Sequence, residues 1–145
     1  MTKAQESEPP LRLAYLIGRL DRMVRRDLEE ALAEVDLTIA QYTAMSVLRR
    51  RPGLSNAQLA RRSLVSPQAM NQALSGLVER RLIHRPAKPK GRVLAIELTA
   101  EGQAILDHLG PLINSAEDRL LAELRPTQRD SLLAMLETIT DLRQH

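Results

Sequence analysis

The sequence has no cysteine. That excludes disulfides, thiol redox sensing and any metal site built on thiolates. Aromatic side chains are nearly as scarce: Tyr15 and Tyr42 stand alone, with no Phe and no Trp. The core must therefore be built from Leu, Ile, Val, Met and Ala. No apolar run is long enough to span a bilayer. The opening M-T-K-A-Q-E-S-E-P-P lacks the apolar stretch of a signal peptide. A cytoplasmic chain with a flexible tail over residues 1–10 is expected. His84, His108 and His145 share no ligand spacing, so no metal centre is expected. A Gly-rich phosphate loop, a nucleophile–base pair and an isolated carboxylate pair are also missing. The chain therefore does not read as an enzyme, and nothing in it calls for a cofactor.

What is present suits one soluble domain. A length of 145 residues, 43% of them hydrophobic, is enough to enclose a core. The net charge of +3 hides an asymmetry. From Arg49 to Arg92 there are 11 Lys or Arg against a single acid, Glu79. The remainder holds 10 basic and 17 acidic residues. A basic middle between acidic ends suggests that one region faces a polyanion and the others are kept from it.

Within that basic segment lies S-P-Q-A-M-N-Q-A-L-S-G-L-V-E-R, Ser66 to Arg80. Ser66 is a suitable N-cap and Pro67 a suitable first helical residue. Met70, Leu74, Leu77 and Val78 recur at helical spacing and form an apolar stripe. The opposite face carries Gln68, Asn71, Gln72 and Ser75. It is polar but uncharged, whereas a merely solvated face usually carries Glu and Lys. Amides can pair with base edges in the major groove, adenine above all. The stretch reads as a DNA recognition helix, the alternative being an amide-rich surface helix.

The rest of the chain supplies the setting. Residues 11–35 carry Leu13, Leu16, Ile17, Leu20, Val24 and Leu28 in helical rhythm. Thr38 with Gln41, and Ser55 with Gln58, are capping boxes that open two further helices. Leu59, Ala60 and Leu64 are expected to face inward from the second of these. Two short helices joined by S-L-V make a helix-turn-helix. Leu82-Ile83 and Val93 to Leu98 then read as strands around H-R-P-A-K-P-K-G-R. This basic hairpin is a wing, and Arg85, Lys88, Lys90 and Arg92 are its candidate DNA contacts. Thr99 caps a long helix expected to reach Leu124, interrupted at Gly110-Pro111. A last helix carries Leu132, Leu133, Leu136, Ile139 and Leu142 on its apolar side. The terminal helices are more apolar than one small domain can bury, which points to a two-fold homodimer.

The expected architecture is mainly α. A winged helix-turn-helix region over 37–98, with a two-stranded β-hairpin wing, is flanked by dimerisation helices over 11–35 and 99–145 of a single domain, 11–145.

Four stretches in this order resemble the MarR family of winged-helix regulators: L-T-I-A-Q-Y-T-A-M-S-V-L, L-A-R-R-S-L-V-S, L-S-G-L-V-E-R-R-L-I-H-R and R-V-L-A-I-E-L-T-A-E-G. The resemblance runs from Leu11 nearly to the C-terminus. It implies a homodimeric repressor of double-stranded DNA, bound to a pseudo-palindromic operator and released by a small-molecule effector. It also implies that Gln68, Asn71 and Gln72 face bases and that Ser55, Ser66 and Ser75 touch phosphates or flanking groups. Arg92 matches the family's wing arginine. Three positions depart from the pattern. Lys90 stands where an Asp commonly orients that arginine, Arg81 where a Gly follows the recognition helix, and Arg125 where a Ser or Thr caps the last helix. The implied effector pocket lies between the dimerisation helices and the winged region, with Tyr15, Arg19, Tyr42 and His108 as candidates. Each is more ordinarily a core or surface residue, and the scarcity of aromatics argues against an aromatic effector. The rival reading is a non-specific DNA-architectural or protein-interaction module without effector response. The aligned amides argue against it, since purely electrostatic binding does not require them.

Overall fold

The computed structural model describes residues 10–86 and 95–141. These residues form α1 (Leu13–Ala33), α2 (Ile39–Arg50), α3 (Asn56–Arg62), α4 (Pro67–Glu79), β1 (Ile83–His84), β2 (Glu97–Leu98), α5 (Ala100–Leu120) and α6 (Pro126–Asp141). The helix starts are those that the sequence encodes locally. The Thr38 hydroxyl accepts from Gln41 N at 3.1 Å, and the Gln41 side chain accepts from Thr38 N at 3.1 Å. Ser55 and Gln58 repeat this box at 3.2 and 2.9 Å. Ser66 caps α4 through Ala69 N, with Pro67 as its first residue. At α6, Arg125 has no oxygen to offer, and half a box remains: its N–H donates to Gln128 Oε1 at 2.9 Å.

Three helix ends share one device. Leu37 N donates to Leu32 O, Val65 N to Ala60 O, and Leu82 N to Leu77 O. In each case the preceding residue is left-handed: Asp36 at φ 53°, Leu64 at 54° and Arg81 at 58°. These are Schellman motifs, in which glycine ordinarily takes the left-handed place. Arg81 occupies the strained position that the sequence had marked. Leu64 corrects an expectation, because it is 88% exposed instead of facing inward. The left-handed turn points its side chain away from the core, and Val65 packs there in its stead. Leu64→Gly should therefore stabilise the protein by about 0.5–1 kcal/mol, since it removes left-handed strain and no buried surface. A thermal melt showing destabilisation would refute that strain.

The core is shared by α1–α5 and the base of the sheet. Leu32, Met45, Leu48, Leu59, Met70, Leu74, Leu77, Ile96 and Leu109 are fully buried within it. In α4 the buried stripe is Met70, Ala73, Leu74 and Leu77. Val78, expected to belong to it, is exposed, because the helix turns that position away from α2 and α3. β1 and β2 pair antiparallel, Ile83 opposite Leu98 and His84 opposite Glu97. A further bridge joins Leu54 to Ile96 and ties the end of the α2–α3 connection to the sheet. The strands are short: β2 begins at Glu97. Residues 87–94, with Lys88, Lys90 and Arg92, lie outside the described residues. α5 runs through Gly110-Pro111 as one helix and ends at Leu120, short of the expected Leu124.

The C-terminal end of α4 is fastened to two other elements. The Arg80 guanidinium donates at 2.7 Å to both Val35 O and Asp36 O, capping the carbonyl end of α1. Thr99 donates through its hydroxyl to Arg81 O at 2.7 Å while capping α5.

Candidate nucleic-acid interface

The amide face of α4 follows from the helix period. With Met70, Ala73, Leu74 and Leu77 buried against the helix-turn-helix, the intervening Gln68, Asn71, Gln72 and Ser75 are exposed together. α3 packs against α4 and sets its direction. Asn56, at the start of α3, donates a long 3.4 Å hydrogen bond to Pro67 O at the start of α4. The exposed Arg61 and Arg62 close α3 and contribute positive charge to the helix-turn-helix.

The expected contacts differ in what they have left to offer. Ser55 and Ser66 accept backbone N–H bonds as caps. Each hydroxyl therefore keeps its own hydrogen to donate to a phosphate oxygen. Ser75 is different, because its hydroxyl donates to Asn71 O at 2.9 Å and its hydrogen is used within the helix. Arg85 is half-buried at the wing base, and its guanidinium donates to Asn71 Oδ1 at 3.0 Å. It lies at the edge of the amide face of α4. Neither Arg85's position nor the tie from Arg80 to α1 was legible in the sequence. The pairs are 14 and 44 residues apart, and no local pattern reports such contacts.

The candidate effector residues do not share one cavity in a protomer. Tyr42 lines a cavity of about 350 Å³ between α1, α2, α5 and α6, walled by Leu20, Val24, Ile113, Leu132 and Leu136. Asp27, Glu117 and Arg129 also line it. Arg129 hydrogen-bonds Asp118, and that bond favours its charged form. Tyr15 and Arg19 line a separate, shallower depression along α1 with Arg22, Met23 and Arg26. His108 is on the surface, 3.8 Å from Glu34.

A sequence profile described as MarR family matches residues 35–92, a span that begins just after α1 and takes in α2, α3, α4 and β1. The HTH-type transcriptional repressor Rv2887 of Mycobacterium tuberculosis is 36% identical over 128 residues, which cover 88% of this chain and 92% of the repressor. The chain belongs to the MarR family. Its fold agrees with that of Rv2887 in two crystal structures. In the complex with DNA the TM-score is 0.78 at 33% identity, over 90% of this chain and 98% of Rv2887. In the complex with salicylic acid it is 0.73 at 35% identity, over 92% and 98%. For this MarR-family chain, the winged helix-turn-helix and its place between long terminal helices are thereby established.

Proposed function

We propose that the chain is a sequence-specific, double-stranded DNA-binding transcriptional regulator of the cytoplasm, acting as a dimeric repressor that a small-molecule effector releases. The observation that carries this is the exposed, uncharged amide face of α4, held by a helix-turn-helix. The complex of Rv2887 with DNA supports it. The reading is of a regulator and not of an enzyme, as the relatives are repressors. A second chain supplies the two-fold geometry that presents two recognition helices to successive half-sites. Exposed apolar side chains on α1 and α6, among them Leu13, Ile17, Leu133 and Ile139, support a second chain. For the effector arm, support comes from the Tyr42 cavity, which has the size of a small-ligand site, and from the salicylic acid complex of Rv2887.

The test is footprinting on the DNA flanking the gene, with excess random competitor and a salt series. A protected stretch of two-fold symmetry that survives competitor is expected. Asn71→Ala should lower operator affinity by about 1–3 kcal/mol and spare non-specific binding. Removing Lys88 or Arg92 should instead weaken both and flatten the salt dependence. Protection that competitor abolishes, on a steep salt slope, would favour the architectural reading.

A further inference from the structure

The contact between Arg85 and Asn71 bears on which base α4 selects. A guanidinium carries donors only. Asn71 must therefore turn its amide oxygen toward Arg85 Nη2, 3.0 Å away, and its NH₂ group away from it. The amide is oriented by the chemistry of its partner.

Adenine is read by an asparagine that accepts from N6 and donates to N7 in one plane. That geometry needs the amide oxygen aimed at the base. Here one lone pair of the oxygen is committed to Arg85, whose positive charge holds that side of the amide, and the NH₂ donor is the group presented to a base. Guanine presents two acceptors, N7 and O6, on its major-groove edge, whereas adenine sets a donor next to N7. We propose that Asn71 and Arg85 act as one reading unit, in which Arg85 is the positioning residue that turns the NH₂ donor of Asn71 toward the base, and that it selects guanine over adenine at the base pair that Asn71 faces. This rests on α4 reading DNA, and it replaces the adenine preference that an isolated asparagine implies.

The experiment selects sites from a random duplex library with the full-length wild type, Arg85→Met and Asn71→Ala. Titrations on the selected site and its single-base variants follow. Met keeps much of the apolar stem and removes every donor. Wild type should prefer guanine over adenine at one position in each half-site by about tenfold. Arg85→Met should reverse that preference toward adenine at this position and leave the other positions as they were. Asn71→Ala should remove the preference, and adding Arg85→Met to it should change nothing more there. Melting temperatures of the variants close to wild type would confirm that the fold is intact. If Arg85→Met leaves every base preference unchanged, or weakens all sequences equally with a flatter salt dependence, Arg85 is a phosphate contact and the unit is refuted. A wild type that selects no sequence at all would overturn DNA reading itself, and the unit with it.

Discussion

Gly102→Ala is expected to lower stability by about 3 kcal/mol, a fall in Tm of roughly 10 °C in a chain of this size. A Cβ at this position would sit 2.2 Å from Leu82 O and 3.2 Å from both Leu82 C and a methyl carbon of Leu98. The obstacle is backbone, and it is held in place. Leu82 O accepts from Thr99 N at 3.1 Å, and Thr99 in turn caps α5 through Gly102 N at 3.1 Å. Relief requires α5 to lift off the base of the wing, and that opens the cap and the sheet junction together. Calorimetry or a denaturant titration measures the loss. A variant melting within about 2 °C of wild type would show that this junction yields easily.

Leu133→Glu is expected to convert a dimer into a monomer at the same concentration. Among the described side chains of α6 none is buried in the isolated chain, and Leu133 is 60% exposed, with Met135, Leu136 and Ile139 beside it. A helix whose apolar side is left open gains most of its stability from packing against something else. Burying a leucine contributes about 2 kcal/mol, and an interfacial carboxylate adds a desolvation cost. Two-fold symmetry counts both terms twice. A loss of about 5 kcal/mol follows, or roughly three to four orders of magnitude in the dimer Kd. Sedimentation velocity reads this directly. Tight operator binding should fall with it, because one protomer presents one recognition helix. The buried core lies in α1–α5 and the sheet, so far-ultraviolet circular dichroism should show most helix retained. A Leu133→Glu protein that sediments as wild type does would remove α6 from the interface.

Local signals made most of the architecture legible. Thr38, Ser55, Ser66 and Thr99 each cap a helix where the sequence placed the cap, because capping depends on residues three apart. The apolar stripe of α4 at Met70, Leu74 and Leu77 was read from its period, and so was the exposed amide face. Leu64 was misread for a physical reason. Its hydrophobicity suggested burial, but the Schellman turn it occupies is set by backbone geometry and points it outward. The Leu54–Ile96 bridge involves one residue on each side, too few to leave a periodic trace.

The sequence by itself determined the element order, the caps, the basic middle and the amide face. All of these follow from side-chain chemistry repeated over a few neighbouring residues. Only the tertiary structure decided how those parts are fastened. It laid Arg80 across the carbonyl end of α1 and brought Gly102 against Leu82 O. It also set Arg85 on Asn71 and so oriented that exposed amide. These are contacts between residues far apart in the chain. They depend on the angles at which whole elements meet, and those angles come from packing the entire core.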